Sequence, residues 1–336
     1  MITGSVLQNI WYLLIGALLA GYSVLDGFDL GVGALFPYLA RTEDEKRTLA
    51  GAIGPVWDGN EVWLLAGGGA LFAAFPMAYA TVFSGFYLAL MLVLFALILR
   101  AVSLEFRAHD TARKGLWEAV FVGSSFVPAL LFGVALGNVV VGVPLDARTE
   151  FAGNFFTLLR PLPLAFGVVG LCVFLLHGSA FAALKTEGAI RERARKVAGI
   201  VSVAVMIALF LAFVFVWIYF PEVFDRVPSW LIGDVVFLFC ALFLIALRKG
   251  RDGRAFFFSS AIFLGLWGVI GAIHYPNLVR ATDPALSLTL ANASSSPLAL
   301  KVMLIIALVG MPLVVGYTVF AYRVFKGRSR PGDGGY

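Results

Sequence analysis

The chain has 336 residues, 61% apolar and 13% charged, with a mean hydropathy of +0.94 and a net charge of +5. A soluble domain carries about 25% charged residues, so roughly half the coat a water-facing surface needs is missing and a soluble fold is excluded. The apolar/polar alternation over ~10-residue segments that marks a membrane β-barrel is also missing, and the positive charge suits a basic membrane face beside anionic lipid rather than nucleic acid.

Nine apolar segments, divided by charge clusters and Pro/Gly breaks, approach or exceed the ~20 residues that cross ~30 Å of hydrocarbon. The first, over 10–38, has no basic residue before Ile10 and no small-residue cleavage site, and is expected to be an uncleaved span. Segments at 53–75 and 78–102 follow, joined by little more than Pro76. The rest lie at 117–141, 162–184, 198–220, 229–247, 255–275 and 299–322, which makes residues 1–336 a single polytopic, all-α membrane domain.

Loop charge orients the spans, because Lys and Arg stay on the cytoplasmic side. The loops after spans one, three, five and seven, with the C-terminal tail, hold 20 of the 25 basic residues, among them Arg41, Lys46, Arg107, Lys185 and Arg248. The opposite side holds Arg148, Arg160, Arg226, Arg280 and Lys301. Nine spans with the N-terminus outside and the C-terminus cytoplasmic satisfy this bias.

Ionisable side chains within spans cost about 2.5–3.5 kcal/mol each on insertion scales and are functional candidates. Span one contains Asp26 and Asp29, and span two begins with Asp58 and Glu61. Each pair is three residues apart and therefore shares a helix face. Span one runs inward and span two starts inside, so the four acids converge in the cytoplasmic half. Arg100 and Glu105 close span three on the same side, with Arg100 the expected counter-ion for one of the acids. Such a set suits a proton entry path. The plainer readings are that Asp58 and Glu61 are helix-start acids favoured by the dipole, and that Asp26 and Asp29 form a structural ion pair. Trp57 is expected at the interface or beside the acids, Trp63 in packing, and Gly21, Gly27, Gly31 and Gly33 in close helix approach.

Of three histidines, His109 falls in an inner loop, His274 at an outer helix end and His177 alone within a span. A bis-His haem site needs two membrane histidines at matched depth, so no haem or metal is expected on this chain. Cys172 and Cys240 lack metal-site spacing and sit in apolar runs.

The stretches GYSVLDGFDLGVGALFPYL, GPVWDGNEVWLLAGGGALFAAFP and YATVFSGFYLALMLVLFALILRAVSLEFR resemble subunit II of cytochrome bd-type quinol oxidases, as do SFVPALLFGVALGNVVVGVP, GNFFTLLRP and SLTLANASSSPLALKVM. The resemblance runs through the chain and is densest over 16–160. It implies a fold of two four-helix bundles plus a peripheral helix in the bacterial cytoplasmic membrane. It also implies a haem-bearing subunit I that holds two b-type haems and one d-type haem and oxidises quinol, with a third, small single-span subunit in some complexes. By the same resemblance Asp29 and Asp58 match acids linked to the proton path, Asp26 and Trp57 match signature residues, and Glu61 stands where a neutral amide is tolerated. The outer loop near 221–228 is short beside longer family members, which leaves a structural quinone on this chain outside the implication. The rival reading is a proton-coupled transporter, which nine spans with buried acids and glycine-broken helices would also suit.

Overall fold

The computed structural model describes residues 4–219 and 227–329. Twelve α-helices account for most of them: α1 Val6–Leu25, α2 Gly27–Leu39, α3 Glu43–Ile53, α4 Trp57–Ala74, α5 Pro76–Gly85, α6 Tyr87–His109, α7 Lys114–Val141, α8 Pro161–Lys185, α9 Gly188–Tyr219, α10 Val227–Arg248, α11 Asp252–His274 and α12 Pro297–Val324. Among the described residues the one sheet is a two-stranded antiparallel ribbon, Asn277–Val279 with Leu288–Thr289.

Among the described residues, seven stretches are long and apolar enough to cross a membrane: Val6–Leu39, α6, α7, α8, α9, α11 and α12. The expected segments at 53–75 and 229–247 are helical too, as α4 and α10. Asp58, Asn60 and Glu61 and four glycines lower the apolarity of α4.

Several boundaries depart from the expected ones. Span one is interrupted at Asp26 and begins at Val6, where Ser5 and Gln8 form a capping box. The segment expected over 78–102 is two helices, α5 and α6, divided at Phe86, whose φ of −99° and ψ of 18° leave the helical range. The sixth begins ten residues early, at Gly188, because the charged run Arg191–Lys196 continues the helix beyond the apolar part. His109 ends α6 instead of lying in a loop. The stretch between spans one and two, read as a loop, holds α3, started by a Thr42–Glu45 capping box. Of the loop near 221–228, residues 221–226 lie outside the described set.

α3 lies on the basic end and buries Leu49, Ala52 and Ile53 in a core shared with α2, α6, α7, α8 and α9. An ion network fixes it: Glu118 accepts from Lys46 at 2.7 Å, and Glu43 faces Arg107 and Lys114 at 3.2 Å each. Slight desolvation opposes ionisation of Glu43, but Lys114, Arg107 and Lys46 together hold its carboxyl below the usual range.

A second core joins α8, α9, α10 and α11 through Phe174, Val205, Phe243 and Ile262. α12 is peripheral, with Leu300 its one buried residue. The central contact is α2 against α8, and it is made by glycines. A Cβ on Gly31 would stand 2.0 Å from the Phe174 carbonyl oxygen, and one on Gly178 would stand 2.4 Å from the Gly31 carbonyl carbon. Such backbone contact is how membrane helices associate without a hydrophobic driving force. Gly31→Ala is expected to cost at least ~1–3 kcal/mol, seen as a lowered thermal midpoint of the purified protein. Gly115→Ala, where a Cβ meets nothing within 4 Å, should leave that midpoint unchanged.

Candidate functional site

The interruption of span one at Asp26 positions the site. The last carbonyls of an α-helix have no partner within it, and here two of them are taken by side chains from other helices. His177 Nε2 lies 2.9 Å from the Val24 oxygen, and Asn60 Nδ2 donates to the Leu25 oxygen at 3.0 Å. Trp267 of α11 adds a hydrogen bond of 2.9 Å to Ser23 Oγ. The junction is therefore stitched to α4, α8 and α11, which fixes the directions of Asp26 and, one turn on, Asp29.

Arg100 arrives from the middle of α6. Its Nη2 lies 2.6 Å from Asp26 Oδ1 and 2.6 Å from Glu61 Oε1. Arg100 is 1% exposed, Asp26 0%, and the Glu61 side chain 24%. Asp29 pairs with no cation among the described residues: its Oδ2 accepts from Asn60 Nδ2 at 2.7 Å. Five further buried atoms here, Tyr22 Oη, Asp26 Oδ2, Asp29 Oδ1 and Arg100 Nε and Nη1, have no hydrogen-bond partner among the described residues. Two carboxyl groups share one guanidinium, and the third, Asp29, is held by an amide; ion pairing therefore does not fix how many protons the cluster carries.

Of the expected site residues, Asp26, Asp29, Glu61 and Arg100 come together. Arg100 serves two acids where one was expected. Asp58 and Glu105 do not join: both are exposed on the chain surface. The helical period explains this. Asp58 lies two residues from Asn60, and Glu105 five from Arg100, offsets that put each on a different face from the inward residue. Asp58 stands in the first turn of α4 and shares a face with Glu61, the one cluster member that reaches the surface. Trp57 is half-buried against the core of the basic end. Trp63 lies on Gly21, where a Cβ would come 2.5 Å from its ring, which is the packing role expected of both.

Sequence reasoning missed Asn60 and Tyr322, the hydroxyl of which donates to Asn60 Oδ1 at 2.8 Å. Asn60 was visible within WDGN, but a neutral amide carries no charge signal. Tyr322 is 262 residues away from it and has no local signature at all.

His177 is fully buried, with Nδ1 2.7 Å from Ser259 Oγ, Nε2 on the Val24 carbonyl and its ring stacked on Phe256 at 4.7 Å. Both ring nitrogens are thereby engaged in holding the junction. Among the described residues no group of three or more His, Cys, Asp and Glu side chains is arranged to hold a metal ion. For His177→Gln, which keeps a donor toward Val24, the absorption spectrum of the assembled protein is expected to keep every haem band. Loss of one band with assembly intact would contradict this.

The family model for cytochrome bd terminal oxidase subunit II matches residues 7–325. A probable cytochrome oxidase subunit 2 of Haemophilus influenzae is 37% identical, over 98% of this chain and 96% of the relative. The cytochrome bd-I ubiquinol oxidase subunit 2 of Escherichia coli is 35% identical, over 99% of this chain and 98% of its own length. The cytochrome bd ubiquinol oxidase subunit 2 of Bacillus subtilis is 36% identical, over 96% of each. In a solved structure, the bd oxidase of Geobacillus thermodenitrificans, one chain superposes with a TM-score of 0.81 over 96% of this chain and 99% of that one, at 17% identity, which shows a shared fold. A multi-pass helical membrane protein with the DGFD and WDGN motifs in consecutive segments, matched over nearly its whole length, this chain belongs to the family of cytochrome bd terminal oxidase subunit II.

Proposed function

We propose that the chain is the haem-free subunit of a quinol:oxygen oxidoreductase in the bacterial cytoplasmic membrane, acting as scaffold for a haem-bearing subunit I and as its route for cytoplasmic protons. The relatives are named as ubiquinol oxidase subunits and come from bacteria. Family membership sets the transporter reading aside. Nine spans in two four-helix bundles and a peripheral α12, with the N-terminus outside, fit the charge bias of the loops. The partner would carry two b-type haems and one d-type haem and oxidise quinol; a small third subunit is compatible with this arrangement.

The observation that carries the proton route is the buried cluster of Asp26, Asp29, Glu61 and Arg100. Reduction of oxygen to water consumes protons, and taking them from the cytoplasm lets an oxidase that does not pump still charge the membrane. Hydrocarbon offers a proton no support, so a chain of protonatable groups must supply it. Asp58, exposed beside Glu61, is the entry group in this reading. Glu61 and Asp26, joined through Arg100, lead inward to Asp29. Glu105, exposed on α6, would collect protons at the same face.

Affinity purification through a tag on this chain tests the assignment. A haem-containing partner with visible absorption and quinol oxidase activity should co-purify. A lone, colourless chain would overturn it. The visible spectrum of the same sample identifies the haem types.

A further inference from the structure

We infer that Tyr322 of α12 is a positioning residue for Asp29, acting through the amide of Asn60, and that the segment following α12 holds it there. The inference rests on the reading above, in which the cluster carries protons.

Every polar edge of Asn60 is used. Its Nδ2 donates to Asp29 Oδ2 at 2.7 Å and to the Leu25 carbonyl at 3.0 Å, and its Oδ1 accepts from Tyr322 at 2.8 Å. The orientation of the amide is fixed by these partners. Turned over, its oxygen would face a carboxyl and a carbonyl, two acceptors. The Tyr322 hydroxyl is the group that rewards the orientation in which Asn60 donates to Asp29. Hydrogen bonds in series polarise one another, so removing the first weakens the second.

Tyr322 comes from a helix with little other hold on the fold. Leu300 is the one buried residue of α12, yet four of the five residues after its end are bound to other parts of the chain. Lys185 Nζ donates to the Phe325 and Gly327 carbonyls, Ser329 Oγ donates to the Thr48 carbonyl at 2.9 Å, and Arg328 faces Glu187 at 3.3 Å. The Tyr322 ring stands edge-on to Phe28, one residue before Asp29, with centroids 6.5 Å apart. A loosely packed helix is thus anchored at the turn that carries this phenol.

The charged and titratable groups that face Asp29 are Asp26 at the helix junction, Glu61 of α4, Arg100 of α6 and Tyr322 itself; Tyr22 of α1 faces Asp26, Arg100 and Glu61 instead. On the other helices packed against α2, His177 of α8 is engaged with Val24 and Ser259, Glu118 of α7 with Lys46, and Arg193 of α9 with Glu45.

The test uses the intact oxidase carrying Tyr322→Phe, Asp29→Asn or both, with turnover followed across pH and haem content measured in each. Tyr322→Phe keeps the ring packing and removes one hydrogen bond. It is expected to leave haem content unchanged and to displace the midpoint of the pH profile by about 0.5 pH unit. Asn60→Gln, which moves the amide by one methylene, should displace it as well. The double variant should match Asp29→Asn alone, because Tyr322 acts only through Asp29. Unchanged profiles for Tyr322→Phe and Asn60→Gln would overturn the inference while leaving the proton reading intact, and so would a double variant whose defects add. A wild-type profile for Asp29→Asn would remove the proton reading, and this inference with it.

Discussion

Replacement of Arg100 by leucine is expected to abolish, or nearly abolish, recovery of the assembled oxidase. Arg100 is 1% exposed and, among the described residues, is the one cation within hydrogen-bond reach of both Asp26 and Glu61. Removing one partner of a buried ion pair costs ~3–5 kcal/mol, since the remaining charge is left without compensation. Here two acids lose their partner together. Folded proteins have only about 5–15 kcal/mol in hand, so a loss of this size falls on assembly before it falls on rate. Lysine at the same place supplies charge without the fork that reaches two carboxylates, and should restore assembly only in part. Coupling Arg100→Leu with Asp26→Asn and Glu61→Gln removes the stranded charges, and recovery should then rise well above that of the single variant. The yield and thermal stability of the complex, measured for the four proteins, decide the matter. If the triple variant recovered no better than Arg100→Leu, packing of the long side chain, and not charge, would be its contribution.

Asp58→Asn is expected to assemble with its full haem content and to lose turnover by about tenfold or more, within the range lost when a positioned proton-transfer group is removed. Asparagine keeps the size of aspartate and accepts hydrogen bonds but cannot titrate. Asp58 is exposed in the first turn of α4 and makes no ion pair among the described residues, so little stability depends on it. That combination separates the reading from the plainer one. A helix-start acid contributes about 0.3–1 kcal/mol through the dipole, and its loss would lower stability slightly and leave turnover alone. Asp29→Asn should slow turnover in the same direction, from inside the cluster. Steady-state quinol oxidation with haem content determined on the same preparations distinguishes the two readings.

Much of the fold was legible because hydrocarbon leaves the backbone few choices. Each of the nine apolar segments is helical, and charge in the loops marks one end of the molecule. What periodicity could not locate were the interruptions. The break at Asp26 depends on donors from His177 and Asn60 that are distant in sequence, and the division at Phe86 follows Gly85, one of 36 glycines in the chain and not singled out by its neighbours. α3 was hidden because a short, charged amphipathic helix reads as a loop once apolar length is the criterion. The site was half legible. The i, i+3 spacing of Asp26 with Asp29, and of Asp58 with Glu61, gave shared faces, but not which face of α4 turns inward. That face is set by Asn60, so Glu61 joined the cluster and Asp58 stayed outside. Arg100 was identifiable as a cation at the depth of acids. Tyr322 could not be found, because an uncharged residue near the end of a peripheral helix acquires its partner only through tertiary packing.

The most direct test of a proton route through this subunit is electron injection into the oxygen-loaded oxidase with proton uptake recorded in the same sample. In the wild type the two should be kinetically linked. In the Asp58→Asn enzyme, electron entry from quinol should keep its wild-type rate while proton uptake, and the oxygen-reduction steps that need it, slow by about tenfold or more. Wild-type rates for both would contradict the account and return Asp58 to the role of a helix-start acid.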